Sequence, residues 1–277
     1  MFLISFIVAL LCLICSICIN INWIYDISCY LGYFLAIYLV TFIAIIPGFD
    51  YVFTFMSLLL QKKDKKSHNK KEEDVTILIP VYNAKKSIEE TLYSIKKQKY
   101  YGKIYVKIID DGSTDGTLEL LKSIDLDSNT TLIETKHNGK AVALNKGLET
   151  VCTDYTITID GDTVLHPLAV RNIMNKLTNS DKKIVATAGC LFVKNTKKKF
   201  ITKLQEWDYT LGIFGIKLLQ GNYNSTLVAQ GAFSAYKTKI LKEIGGWQNC
   251  VGEDIVLTWQ LLSNGYETNF AKNAIAY

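Results

Sequence analysis

Thr156-Ile157-Thr158-Ile159-Asp160-Gly161-Asp162-Thr163 is the stretch on which the fold turns. A run suited to a buried strand stops abruptly at two carboxylates one residue apart, with glycine between them. A strand ending there delivers both carboxylates to the rim of a parallel sheet, where ligands of open α/β sheets collect. Hard oxygen ligands spaced this way suit a divalent cation and, through it, a diphosphate. Acidic turns after strands are common, so this octapeptide decides little without its neighbours.

The neighbours repeat its pattern. Val75–Val81 reads as a strand closed by Tyr82-Asn83, and Ile104–Ile109 as one ending at Asp110-Asp111-Gly112-Ser113. Thr131–Glu134 reads as another strand. Between them lie helical spacings: Ala84–Gln98 with Ile88, Leu92 and Ile95 on one face, Asp115–Ile124, and Gly139–Val151 with Ala141, Leu144 and Leu148 aligned. Pro167 stands where a helix over Leu168–Leu177 begins. This alternation predicts an α/β fold with a parallel sheet and helices on both faces. The candidate residues Tyr82, Asp110, Asp111, Asp160 and Asp162 all follow strands, so the fold gathers them at one edge.

Further along, Ile184–Val193 reads as a strand. Phe200–Leu219 is amphipathic, open to two readings: a core helix or one lying on a membrane surface. Val228–Tyr236 carries Gln230-Gly231-Ala232-Phe233, Thr238–Ile244 is a short helix, and Gly252-Glu253-Asp254 opens a helix over Ile255–Leu262.

Upstream the chain changes character. Of its 277 residues 49% are hydrophobic, but residues 1–60 carry only Asp26 and Asp50 as charges. Phe2–Ile21 is long enough to span a bilayer. Leu31–Leu60 forms a second span interrupted by Pro47-Gly48, with a wetter bridge at Asn22–Tyr30. No basic segment precedes Phe2, which argues against a cleaved signal peptide. The expectation is a helical hairpin over 1–60, a basic linker over 61–74 and an α/β domain over 75–277. The lysines of Gln61–Lys71 follow an apolar span, which favours a cytoplasmic, membrane-proximal role over nucleic-acid binding. Cys12, Cys15 and Cys18 sit in an apolar helix without His or acidic company, so they read as packing residues and not as a metal site.

Four elements now stand in order: Ile79-Pro80-Val81-Tyr82-Asn83, Asp110-Asp111-Gly112-Ser113, Asp160-Gly161-Asp162 and Gly252-Glu253-Asp254. Together they resemble glycosyltransferase family 2, the inverting nucleotide-sugar transferases of GT-A fold. With His137-Asn138-Gly139-Lys140-Ala141 and two apolar spans in front, the likeness is to its membrane-bound polymer synthases, the poly-β-1,6-N-acetylglucosamine, chitin and hyaluronan synthase group. The resemblance implies that Pro80, Tyr82, Asp111, Lys140 and Asp160 serve the nucleotide, with Asp111 accepting the uracil N–H. It implies that Asp160 and Asp162 hold Mg²⁺ or Mn²⁺, and that Asp254 is the general base. It implies further that Gln230, Gly231, Phe233 and Glu253 face the acceptor, with the aromatic ring stacking on a sugar. The implied reaction moves a sugar, N-acetylglucosamine by expectation, from a UDP-sugar to a glycan or lipid-linked acceptor at the cytoplasmic face of the cell membrane. His137 receives no role.

Processive members carry Gln-x-x-Arg-Trp after the Glu-Asp helix. That motif does not occur here, and the sequence stops at Tyr277. The expectation is the front part of a synthase, a second subunit being one source of the rest. A non-processive transferase acting on a lipid acceptor and a non-catalytic nucleotide-sugar-binding subunit remain the alternatives.

Overall fold

The computed structural model describes residues 2–60, 72–194 and 200–277. The chain divides into two compact units, Met1–Asp64 and Lys65–Tyr277. The lysine run of Gln61–Lys71 lies outside the described residues.

The first unit is a pair of helices. α1 spans Phe2–Leu31; after Gly32 follow α2 (Tyr33–Val40), a π-helical turn (Thr41–Ile45) and α3 (Ile46–Leu59). The π turn ends two residues before Pro47, which has no N–H to give to the α-helical hydrogen-bond ladder. The expected bridge at Asn22–Tyr30 is itself helical, and the chain turns at Gly32 instead. Ser28 Oγ donates to the Tyr25 carbonyl at 2.7 Å, which returns a polar group to the helix backbone. Gly32, at φ 82° and ψ 152°, takes a backbone conformation open to glycine that ends the helix. The helices Phe2–Leu31 and Tyr33–Leu59 are long and apolar enough to cross a membrane. Small buried residues, Ser5, Ala9, Ala36 and Ser57, let them approach closely, and Phe2 packs edge-on against Phe53.

The second unit is a seven-stranded sheet with helices on both faces. Its elements in order are β1 (Val75–Val81), α4 (Ile88–Lys96), β2 (Ile104–Asp111), α5 (Thr117–Ser123), β3 (Thr130–Thr135), α6 (Lys140–Glu149), β4 (Tyr155–Ile159), α7 (Ala169–Thr178), β5 (Ile184–Leu191), α8 (Phe200–Asp208), α9 (Ile216–Asn222), β6 (Phe233–Lys237), α10 (Thr238–Glu243), α11 (Glu253–Ser263) and β7 (Glu267–Ala276). The strand order is β3-β2-β1-β4-β6-β5-β7.

Residues alternate sides along β1. Val75, Ile77, Ile79 and Val81 join a core with α4, α5 and α7, while Leu78 faces the cluster of α6, α10 and α11. Burying each such Ile or Val contributes about 1.5–3 kcal/mol, so β1 anchors both layers.

Two features depart from the expected parallel sheet. β6 runs antiparallel to both β4 and β5, because it enters from the carboxyl edge of β4 and must run back. That entry is what places residues 226–232 beside the acidic rim. β7, which no clean apolar alternation announced, pairs in parallel with β5 through two irregularities in register. The 200–222 region also divides. Ile201, Leu204 and Trp207 of α8 are exposed, which sets aside a core-helix reading there, whereas Lys217 of α9 is buried.

Candidate active site

The carboxyl ends of β1, β2 and β4 meet the start of α6 around a cavity of about 440 Å³ lined by Pro80, Tyr82, Asp111, His137, Lys140, Asp160 and Asp162. After β1, Asn83 takes a left-handed conformation (φ 51°), which Asn tolerates better than most residues. Its Oδ1 accepts the Thr114 N–H at 2.8 Å, tying the first strand's turn to the second's.

Of the two carboxylates after β2, Asp110 closes the turn by accepting the Ser113 N–H at 3.1 Å. Asp111 points the other way and holds the loop before α6. Its Oδ1 accepts from Asn138 N–H at 3.0 Å and its Oδ2 from Gly139 N–H at 2.9 Å. His137 Nδ1 lies 2.9 Å from the same Oδ2, and the imidazole stacks on Tyr82 with centroids 4.1 Å apart.

The β4 rim is fixed by the Gly161 carbonyl, which accepts the Ser87 and Thr91 hydroxyls at 3.2 and 3.1 Å. Asp162 is exposed and Asp160 partly so. Lys140 Nζ lies 2.5 Å from Asp160 Oδ1 and 3.6 Å from Glu253 Oε1. Burial works against that ammonium, but Asp160, with Glu253 and Asp254 beyond it, outweighs burial and raises its pKa above the ordinary lysine value.

Lys140 thereby joins Asp160 at the β4 rim to a second cluster. Glu253 and Asp254 open α11 behind Gly252, whose φ is 77°. Asp254 is not the helix N-cap: its Oδ1 accepts Ile255 N–H at 2.9 Å and its Oδ2 reaches across to Gly231 N–H at 3.0 Å. A side chain at Gly231 would put its Cβ 2.9 Å from Lys140 Nζ, so glycine keeps this approach open. Gln230 Nε2 donates to the Gly189 carbonyl at 3.0 Å.

Phe233 does not join this group. Its ring has 0% exposure and packs where any Cβ on Gly189 would fall, so it is a core residue and cannot stack on a sugar. Two residues outside the expected set are drawn in. His137 is one. The other is Lys217, whose Nζ donates to the Val228 carbonyl; burial lowers its pKa to about 8 against the pull of Asp254 and Cys190.

Among the described residues no group of three or more His, Cys, Asp or Glu could hold a metal unaided. Asp160 and Asp162 supply hard oxygen donors, and Mg²⁺-type ions are commonly held by one or two carboxylates with substrate phosphates completing the shell. These two residues fit such a cation as partners to a diphosphate.

The family model for glycosyl transferase family 2 matches residues 76–245, which include the strand ends described above. This chain belongs to that family. It is 30% identical over 207 residues to the poly-β-1,6-N-acetyl-D-glucosamine synthase of Staphylococcus aureus, covering 74% of this chain and 50% of the relative. The Staphylococcus epidermidis synthase is 28% identical over 214 residues. The chain thus spans about half the length of the curated relatives it matches. Among solved structures, a mannosyltransferase from Pyrobaculum calidifontis in complex with GDP-Man and Mn²⁺ superposes with a TM-score of 0.65 at 23% identity, over 82% of this chain and 63% of that one. S. aureus TarS superposes at 0.57 and 19% identity, over 74% and 59%. The second unit of this family 2 chain has the GT-A fold.

Proposed function

We propose that this chain is an inverting glycosyltransferase that moves N-acetylglucosamine from a UDP-sugar to a glycan hydroxyl at the cytoplasmic face of the membrane, in polysaccharide synthesis. The observation that carries this is Asp254 held against Gly231, next to the Lys140–Asp160 pair. A carboxylate so placed stands between the donor-side cavity and the loop that an acceptor meets.

In the reaction the acceptor oxygen attacks the anomeric carbon as the bond from that carbon to the diphosphate oxygen breaks. Asp254 takes the hydroxyl proton, and the bond electrons leave with UDP. Lys140 offsets charge on the departing diphosphate. A divalent cation held by Asp160 and Asp162 would supply further charge neutralisation there. Pro80 and Tyr82 line the nucleotide end, and Gln230, Gly231 and Glu253 border the acceptor end.

The synthase relatives support the sugar and the polymer product. A fold neighbour holding GDP-Man with Mn²⁺ supports nucleotide-sugar use with a divalent cation. The two apolar helices, with the lysine run after them, support anchoring with the transferase unit on the cytoplasmic side. The test is UDP release from UDP-N-acetylglucosamine by membranes carrying this chain, with Mn²⁺ or EDTA, against Asp254→Asn. Metal-dependent release abolished by the substitution is expected; release that survives in Asp254→Asn would sink the assignment of the base.

A further inference from the structure

We infer that Asn145 is the residue that positions the general base. Its side-chain amide clamps the backbone of Trp247, and from Trp247 both partners of the Asp254–Gly231 hydrogen bond are held. This rests on the role proposed above for Asp254 and adds a positioning residue outside the cavity lining.

The clamp is a matched pair of hydrogen bonds. Asn145 lies on α6, the helix that begins with Lys140. Its Nδ2 donates to the Trp247 carbonyl at 2.7 Å, and its Oδ1 accepts the Trp247 N–H at 2.9 Å. An amide has a donor and an acceptor side by side, so it pairs with a backbone as a neighbouring strand does. The glycines before Trp247 prepare this approach. Gly245 and Gly246 donate to the Lys242 and Leu241 carbonyls at 3.1 and 3.0 Å, a helix stop that needs one left-handed residue. Gly245 supplies it at φ 85°, yet Gly246 is left-handed too, at φ 71°, and a Cβ there would collide with Asn145 Oδ1. Ending α10 does not require the second glycine; admitting the amide does.

Two routes lead from Trp247 to the base. The first runs along the chain. Gln248, Asn249, Cys250 and Val251 are exposed, so this stretch has no core of its own. Where it delivers Glu253 and Asp254 depends on where it starts. It passes the start of α6, with Asn249 Oδ1 3.5 Å from the place of a Cβ on Gly139. It ends with Glu253 Oε1 3.6 Å from Lys140 Nζ and with Asp254 Oδ2 accepting the Gly231 N–H at 3.0 Å. Leu257 and Leu261 bury the body of α11, which leaves its first turn to the clamp.

The second route runs through space. The buried Trp247 ring packs edge-on against Tyr236 with centroids 5.9 Å apart, and the Tyr236 hydroxyl donates to the Ala229 carbonyl at 3.0 Å. Ala229 stands just ahead of Gln230 and Gly231. Acceptor and donor of the Asp254–Gly231 bond are thus both referred to Trp247. Asn145 in turn ties Trp247 to the helix that carries Lys140.

The experiment is hydrogen exchange of the full chain in detergent, read by mass spectrometry, with UDP binding and UDP release measured on the same preparations. Asn145→Ala is compared with wild type and with Ile173→Ala, a core change on the opposite face of the sheet. Asn145→Ala should speed exchange about tenfold, the scale of one neutral hydrogen bond, in residues 247–254 and also in 226–232, where the Gly231 N–H is freed. Ile173→Ala should single out neither segment. UDP binding with Mn²⁺ should stay within about twofold in Asn145→Ala while kcat for UDP release falls about ten- to a hundredfold, the scale for a reacting group about 1 Å out of place. Where the alanine variant does not fold, Asn145→Asp, which keeps the acceptor and loses the donor, carries the same comparison. Wild-type exchange in 226–232 overturns the inference, as does a wild-type kcat in a variant whose exchange has risen. If the wild type binds UDP and releases none, the role of Asp254 as base falls, and exchange in 226–232 alone decides whether Asn145 positions that carboxylate.

Discussion

Lys140 Nζ lies 2.5 Å from Asp160 Oδ1, so an ammonium rests against a carboxylate that the family pattern gives to a divalent cation. In the proposed mechanism the two cations compete for Asp160 until a diphosphate arrives to share them. Lys140→Gln should therefore bind Mn²⁺ more tightly without nucleotide, by about fivefold or roughly 1 kcal/mol, and bind UDP more weakly with it. Titration of Mn²⁺ into the full chain, with and without UDP, checks both signs. Weaker Mn²⁺ binding in the nucleotide-free variant would show that Lys140 supports the cation site and does not compete with it.

Asp162 and Asp254 are expected to fail in different ways. Asp162→Asn removes an exposed donor at the β4 rim and should weaken Mn²⁺-dependent UDP binding. Asp254→Asn should leave UDP binding intact while lowering turnover by about 10²–10⁴-fold, the usual scale of general-base loss. Calorimetry of UDP binding, set beside UDP release, separates the two. Equal loss of binding in both variants would refute the division of labour.

Phe233 and Gly231 stand two residues apart and should differ as sharply. Phe233→Leu leaves space in the core beside Gly189 and should cost about 1–2 kcal/mol of stability without changing the KM for acceptor. Gly231→Ala brings a methyl to 2.9 Å from Lys140 Nζ, a flexible tip that can give way. It should keep the melting temperature within a few degrees yet lower kcat/KM. A Phe233→Leu protein with full stability and a raised acceptor KM would return that ring to the acceptor site.

The strand ends were legible because buried parallel strands read as unbroken apolar runs that stop at polar turns. Val75–Val81 and Thr156–Ile159, built of apolar residues and β-branched threonines, are close to such runs, and they placed Tyr82, Asp160 and Asp162 at one rim. β7 was not legible: Glu267, Asn269, Lys272 and Asn273 break its apolar pattern, and its pairing with β5 shifts register. Direction was equally hidden in β6, since a strand's sequence says nothing of which way it runs. Asp110-Asp111 reads as one acidic turn, although alternation along β2 sends the two side chains to opposite faces. His137 looked like a stray histidine because its meaning depends on Tyr82 and Asp111, distant in sequence. Lys217 resembled any solvated lysine of an amphipathic helix; its apolar neighbours Ile213, Phe214 and Leu218 were the one signal that it could lie inside.

That buried lysine gives a pH prediction with a definite sign. Burial lowers the Lys217 pKa from 10.5 to about 8, so the folded state loses this proton before the unfolded chain does. Below about pH 8 both states are protonated and the whole penalty of burying the charge is present. Between about pH 8 and 10.5 the unfolded chain binds more protons, so this group makes stability rise with pH, by about 3 kcal/mol in all. Lys217→Met removes the penalty and should melt higher than wild type at pH 7, with the gap closing towards pH 10. The same substitution frees the Val228 carbonyl, and with it the segment whose Gly231 N–H steadies Asp254. It should therefore lower kcat more than it alters UDP binding, and Lys217→Arg should recover part of that loss. Melting curves of the full chain in detergent at pH 7, 8, 9 and 10, wild type against Lys217→Met, provide the check. A difference in melting temperature that stays constant across that range would show that Lys217 does not titrate inside the fold.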